Sequence, residues 1–422
     1  MSITRTQREE HQRWLLDITQ IPSAAGREQR VIDYIRAWVR ERPTLTLDED
    51  RAGNLTVRFQ TPRATDLPPV YLTAHLDHPA FVVERIVSPS CLELSFRGGV
   101  MDEYFLDAKV VIHSATHTRH HARLTGEAQA PARADAAPPF KHYLAELTDP
   151  HDTTRGLASG DVAVWDLPPA RIEGDLLYTP ACDDLAALAA ALAAMDVLVH
   201  ARAHGRDTAR DTRLLFTRAE EIGFIGAIAA CRDQTIPKDA IVLALENSRS
   251  FPHDSPIGAG PIVRVGDRLT IFSPTLTEAV AKCAETLAGG PAIPTAQQKI
   301  DAGRTWKWQR KLMAGGACEA SVFSAAGYDS TCICLPLGNY HNMADLANVQ
   351  ARTNTTPPVV APEFISLSDY HALVDLLVAC AQDPRLNSRE SPNPLGPGLR
   401  PASAVPALVD KLWNERSFVL HT

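Results

Sequence analysis

The chain has 422 residues and 8 cysteines, with no CxxC pair and only Cys332 and Cys334 closely spaced. That excludes a zinc ribbon and a disulfide framework, and it fits reduced, packed thiols. Basic runs are missing too: 42 Lys+Arg against 50 Asp+Glu give a net charge of −8. An electrostatic grip on nucleic acid is therefore excluded. No G-x-S-x-G elbow occurs, which argues against a serine hydrolase. No Walker-type glycine loop occurs either, which argues against a nucleotide phosphate site. Long apolar runs are scarce. The most apolar stretch, Leu185–Val199, is Ala-rich and broken by Asp196, and it reads as too short and weak for a bilayer. The opening MSITRTQREEHQ lacks the apolar core of a secretory signal, and no internal repeat is visible. The expectation is a soluble, cytoplasmic protein without membrane or nucleic-acid partners.

What is present is an α/β pattern in two parts. Apolar residues at helical spacing (Trp14, Leu15, Ile18; then Val31, Ile32, Ile35, Val39) predict two leading helices, stopped by Pro22 and Pro43. Strands follow at Asp48–Phe59 and Val70–His75. From about Val82 to Leu177, short β-branched runs separated by Gly, Pro and charged turns replace this pattern. A helix near Phe140–Leu147 and a mobile loop at Gly126–Pro139 are the exceptions expected there. The α/β alternation returns with an Ala-rich helix ending near His200, buried-type strands at Leu214–Phe216, Ala240–Leu245 and Ser330–Leu335, and helices near Thr275–Leu287, Ala317–Ala326 and Phe364–Ala381. The predicted fold is α/β: a three-layer sandwich with a mixed, mostly parallel sheet and an inserted small β-rich domain. Residues 1–84 and 175–382 form its catalytic domain, 85–174 the insert, and 383–422 a C-terminal tail with a short helix at Val405–Trp413.

The chemistry concentrates where apolar strands run into acids or histidines: His75, Asp183, the pair Glu220-Glu221, Glu246 and His341. Parallel strands of one sheet end on one edge, so these groups converge there. Two histidines and three carboxylates, beside a spare glutamate, suit a pair of zinc-like ions. Asp183 is the natural bridging ligand between ions roughly 3.5–4 Å apart. Of the adjacent glutamates, one can grip a metal while the other faces a water. So many like charges in a dry cleft are costly without a cation.

Several motifs carry a family resemblance: AHLD (Ala74–Asp77), CDDLAAL, EEIGFIGA, GAGPIV (Gly258–Val263), the Gly-Gly turn of GGACEA, GNYHNM, and SGDVAVWD (Ser159–Asp166) closing the insert. From about Leu15 to Cys380 the chain resembles the tetrahedral (glutamyl or deblocking) aminopeptidases, which are co-catalytic zinc metallopeptidases. The resemblance implies that His75, Asp183 and Glu246 hold one metal and that Asp183, Glu221 and His341 hold the other. It further implies Glu220 as general base and Asp77 as the group orienting His75. Two divalent ions follow, zinc first and cobalt or manganese as alternatives, along with short peptide substrates and a homo-oligomer built through the inserted domain. The chain departs from the family at His78-Pro79-Ala80, at Glu246 where Asp is usual, at Cys318-Glu319, and at Asn339-Tyr340-His341.

Rival readings are weaker. His113, His117, His120 and His121 form a cluster in HSATHTRHHARL whose polar neighbours predict a solvated surface. Cys182 and Cys318 read as small packed residues. Tyr328-Asp329 and Arg264/Arg268 read as solvated polarity rather than a pocket. Two other functions stand beside the aminopeptidase: a metal-dependent N-acyl amino acid deacylase, hinted at by His78-Pro79 and Glu246, and an inactive peptide-binding scaffold, which would require a lost ligand.

Overall fold

The structure, a computed structural model, describes residues 3–62, 65–128, 140–206, 210–293, 305–386 and 404–421. Most of the loop expected at Gly126–Pro139 lies outside them. In chain order, the first elements are α1 (Arg5–Ile18), α2 (Gln29–Arg40), β1 (Leu45–Glu49), β2 (Leu55–Phe59) and β3 (Val70–His75). Next come β4 (Ala80–Ser88), β5 (Cys91–Arg97), β6 (Lys109–His113), β7 (Arg119–Ala128), β8 (Lys141–Leu147) and β9 (Val162–Trp165). Then follow β10 (Arg171–Glu173), β11 (Leu176–Thr179), α3 (Leu185–Ala203), β12 (Thr212–Thr217), α4 (Ile225–Arg232), β13 (Ile241–Arg249), β14 (Ile262–Asp267) and α5 (Pro274–Ala288). The last are β15 (Gln309–Met313), α6 (Glu319–Ala325), β16 (Asp329–Leu337), α7 (Leu346–Ala351), β17 (Glu363–Ser366), α8 (Leu367–Gln382) and α9 (Ala404–Arg416).

An 8-stranded mixed sheet forms the centre, ordered β1-β2-β12-β3-β13-β16-β14-β15. Its middle strands β12, β3, β13 and β16 run parallel, while β2 and β14 flank them antiparallel. Alternation along each strand sorts side chains to two faces. Leu72, Leu214, Leu243 and Ile333 join α1, α2, α3, α5 and α8 in one core. Tyr71, Leu215 and Val242 join α4, α6 and α9 in another. A central strand buried on both sides reads as a continuous apolar run, as β3 and β13 do.

The helix termini follow from local chemistry. Thr4 and Gln7 form a capping box on α1. Ser273 caps α5 ahead of Pro274, and left-handed Gly289 closes it. Helix α3 is apolar all round because it is a core helix. It is long and apolar enough by length and composition to cross a membrane, yet 83% of its most apolar window is buried in the protein. The stretch is thus longer than expected, at 19 residues. Its single acid, Asp196, is met by His11 Nε2 at 3.2 Å and by Arg42 Nε at 3.2 Å.

The β-rich region closes into a barrel, β4-β5-β8-β7-β6-β9, filled by Phe81, Phe96, Phe105, Tyr143 and Trp165. Phe105 stacks on Tyr143 with ring centroids 4.4 Å apart. The helix expected near Phe140–Leu147 is instead strand β8, since β5 and β7 pair along its length. Tertiary pairing overrides local propensity here. In the tail, α9 packs Leu412 into the core beneath α4.

Candidate metal centre

Three central strands deliver the site. Strand β3 ends on His75, and Thr217, at the end of β12, is level with it. The chain leaving β12 therefore places Glu220 and Glu221 next to His75. In β13, Ala244 is level with Thr73, which brings Glu246 to the same edge two residues on. Asp183 lies between β11 and α3, and His341 follows β16 in a 3-10 turn, Tyr340–Asn342. The glycines of EEIGFIGA have a steric reason. A Cβ on Gly226 would lie 2.4 Å from the backbone N and O of Arg218, and Gly223 has φ +112°. The turn that aims the glutamates cannot form with larger residues.

All the expected residues come together. His75 Nε2 lies 3.4 Å from Asp183 Oδ1 and 3.9 Å from Glu220 Oε2. His341 Nε2 lies 3.4 Å from Asp183 Oδ2 and 3.4 Å from Glu221 Oε1. The two oxygens of Asp183 thus face different histidines. His75, Asp183 and Glu221 offer atoms within 4.8 Å of one another, and so do His75, Glu220 and Glu246. His75 and Asp183 are 2% exposed and Glu246 is 7% exposed.

This donor set fits metal ions better than it fits itself. Separations of 3.4 Å are long for charge-assisted hydrogen bonds. They match neighbouring ligands on a tetrahedral zinc, which at bond lengths of about 2.05 Å stand roughly 3.3 Å apart. Asp183 Oδ1 and Glu221 Oε1 are buried with no hydrogen-bond partner among the described residues. Burial, and then repulsion from neighbouring carboxylates, pushes Glu221 and Glu246 well above the usual range. Burial also raises Glu220, against the pull of His75. Asp183 goes the other way: burial opposes its charge, but contacts from His341 and His75 hold it below the usual range. A dry cavity with this surplus of acid is balanced by cations.

Both rings are held by backbone carbonyls. His75 Nδ1 pairs with Asp77 O at 3.1 Å, and His341 Nδ1 pairs with Gly99 O, in the loop between β5 and β6, at 2.6 Å. Donation from Nδ1 leaves Nε2 of each ring free to ligate. The expected contact from the Asp77 carboxylate to His75 is 3.6 Å, beyond hydrogen-bond range. That carboxylate instead accepts Glu220 N–H at 2.9 Å and Glu221 N–H at 3.0 Å. Asp77 therefore positions the glutamate pair, and its carbonyl, not its side chain, orients His75.

Four supporting residues escaped the sequence reading. Glu363, fully buried, accepts the N–H groups of Cys182 at 2.5 Å, Asp183 at 3.1 Å and His341 at 2.8 Å. It ties the two metal-facing segments together and holds His341 at its left-handed φ of 53°. Asp184 accepts His75 N–H at 3.3 Å. Burial pushes Glu319, behind His75, up to about 7. Tyr340 stacks on the His341 ring at 3.7 Å. Asp184, Glu319 and Tyr340 lie inside CDDLAAL, GGACEA and GNYHNM, motifs already singled out, whereas Glu363 had no pattern to betray it. His78, read as a substrate hint, is instead a strut: Nδ1 lies 2.6 Å from Asp183 O and Nε2 lies 3.0 Å from Asn342 Oδ1.

The rival signals resolve differently. His120 pairs with Asp152 and His121 with Asp166, while His117 is exposed. Cys182 and Cys318 are fully buried, as expected. Arg264, expected to be solvated, is buried with Nε 3.4 Å from Cys334 Sγ, because β14 carries it onto the inner face of the sheet. Tyr328 is also buried, donating to Ile236 O at 3.1 Å.

Comparison with known proteins gives the family and the fold. A family model described as M42 glutamyl aminopeptidase matches residues 53–356. Curated protein sequences give no match. Among solved structures, an aminopeptidase from the archaeon Desulfurococcus kamchatkensis superposes with TM-score 0.68 at 18% identity, covering 91% of this chain and 98% of its own. A TET aminopeptidase from a marine sediment Thaumarchaeota archaeon gives 0.67 at 20% identity, covering 90% and 98%. The Pyrococcus horikoshii TET1 peptidase, which can assemble into a tetrahedron or a large octahedral shell, gives 0.65 at 20% identity, covering 89% and 99%. At these identities the likeness is one of fold.

Proposed function

Since the chain belongs to the M42 glutamyl aminopeptidase family and is a peptide hydrolase, we propose that it removes N-terminal residues from short peptides at a dinuclear metal centre. Membership implies divalent metal use. The finer assignment gives His75, Asp183 and Glu246 to one ion and Asp183, Glu221 and His341 to the other. Zinc suits this nitrogen and oxygen set, with cobalt or manganese as substitutes. When bound, such a pair polarises the scissile carbonyl and lowers the pKa of water to near 7.

The protein's own part is proton handling and alignment. Glu220 Oε2 is the base: it takes the proton of the attacking water and returns it to the leaving amine nitrogen. Its raised pKa, caused first by burial, suits a group that must both accept and release. Asp77 fixes its backbone. The walls built from Glu363, His78 and Tyr340 exclude bulk water and keep the ligands in place. The observation that carries this reading is the convergence of two Nε2 atoms on the two oxygens of Asp183.

The rest of the reading follows the same line. We take the barrel as an insert between the halves of a sandwich-like catalytic domain, with boundaries near residues 84 and 175 and a tail from 383. We take the barrel also as the surface through which copies assemble, after the shells named for Pyrococcus TET1. All 8 cysteines are free, which supports a reducing, cytoplasmic setting. Metal analysis of purified protein, with hydrolysis of aminoacyl-naphthylamides against N-acyl amino acids, tests the function. Metal-dependent release from the free-amine substrates is expected; activity confined to N-acyl amino acids would convert the reading to a deacylase.

A further inference from the structure

A cavity of about 220 Å³ lies behind the metal centre, between the barrel and the catalytic layers. Val111, Val164 and Leu167 give it an apolar wall, and none of the metal-facing residues lines it. Its one lysine or arginine is Arg119, an exposed side chain at the rim. Arg119 forms no ion pair with any described residue. Burial lowers the half-buried His113 imidazole to about 4, and Arg30, Arg119 and His121 add to the shift. Acids on the barrel nearby are engaged elsewhere: Asp166 by His121, Asp152 by His120, and Asp161 by Ala158 N–H at 2.8 Å. An apolar chamber with a cation at its rim, and no carboxylate among the described residues that line it, selects a guest with an apolar body and an anionic end.

The cavity also shares walls with the centre. His78 lines it and bonds Asp183 O; Asn342 lines it, bonds His78, and donates to Pro180 O at 2.8 Å. A guest pressing on His78 and Asn342 therefore bears on the segments that carry Asp183 and His341. We propose that this cavity is a regulatory site for a small apolar carboxylate, coupled to peptide hydrolysis through His78. The coupling rests on the peptidase reading; the binding does not.

Calorimetric titration of the metal-loaded full-length protein with 3-phenylpropionate, 3-phenylpropionamide and 2-phenylethylamine tests the site. The carboxylate should bind, with amide and amine weaker by about tenfold or more, the worth of one charged hydrogen bond. Arg119→Gln should lose about tenfold in carboxylate affinity with hydrolysis unchanged in its absence, and Val164→Phe, which fills the chamber, should abolish binding. Saturating carboxylate should change kcat/KM in the parent protein, should do so in Arg119→Gln only at about tenfold higher concentration, and should have no effect on Val164→Phe. Equal binding of the three probes, no binding, or inhibition that survives both substitutions and so arises at the metal centre would each overturn the proposal. Binding without any change in hydrolysis overturns the regulatory half. Because calorimetry needs no turnover, failure of the site and failure of the peptidase reading give different results.

Discussion

Replacing Glu363 by Gln is the sharpest probe of how the centre is held. The carboxylate is fully buried and accepts from three backbone donors: Cys182 and Asp183 on Oε2, His341 on Oε1. Gln keeps the shape and retains one acceptor oxygen. In the better orientation that oxygen keeps the Cys182 and Asp183 bonds, and an NH2 group confronts His341 N–H. One hydrogen bond to a charged group is then lost and a buried donor left unpaired, about 1.5–3 kcal/mol. If that cost falls on the metal-loaded state, it corresponds to a loss of roughly 10- to 150-fold in affinity for the ion at His341. It falls there because His341 sits at a left-handed φ, a conformation that persists only when its surroundings enforce it. Competition against a chromogenic chelator, with kcat measured at saturating metal, reads the effect. Excess metal should restore most of the turnover. Parent-like metal affinity in a folded Glu363→Gln protein would refute the strut role and, with it, the account of how the two halves of the site are joined.

Glu220→Gln should retain both ions by metal analysis and lose 10²- to 10⁴-fold in kcat, the usual worth of a general base; full activity would remove that assignment. Asp77→Asn loses an acceptor for the Glu220 or Glu221 amide, so kcat should fall while the ion at His75 stays, read by parallel metal analysis and kinetics. Removing metal should make stability depend on pH with a defined sign. Glu220, Glu221 and Glu246 have folded pKa values raised by burial, so the folded chain holds more protons than the unfolded one above the ordinary carboxylate range. The metal-free protein should therefore lose stability as pH rises from about 5 towards 8, relative to the metal-loaded form. Thermal melts with and without chelator check this, and a metal-free melting temperature that rises over that span contradicts it.

What could be read in the sequence was whatever sits at the end of a buried strand. His75, Glu246 and the Glu220-Glu221 pair are direct continuations of apolar runs, and a sheet of parallel strands gives such residues one edge to share. Arg264 was misjudged for the same reason in reverse: its charge suggested solvent, but β14 turns it inward, where the thiol of Cys334 receives it. Strand β8 was misjudged because its residues favour no period strongly, and only its two barrel neighbours decide the matter. Glu363 was invisible because its partners are backbone amides, which leave no side-chain signature.

The same distinction explains why the centre is a joint product of the barrel and the α/β layers. A histidine ligates well only when its other nitrogen is fixed, and a carbonyl from any residue can do that. For His75 the carbonyl comes from Asp77, two residues along the chain, so one strand end supplies both ligand and support. For His341 it comes from Gly99, far away in sequence and reached only through the barrel. A glycine there has a further consequence: the ring atoms of His341 lie 3.8 and 3.9 Å from where a Cβ would stand, so a bulky side chain at residue 99 would press on the ring it supports. The barrel thus carries a contact to one of the proposed ligands, and on the dinuclear reading distortion of its β5–β6 loop should loosen the ion at His341 before the ion at His75.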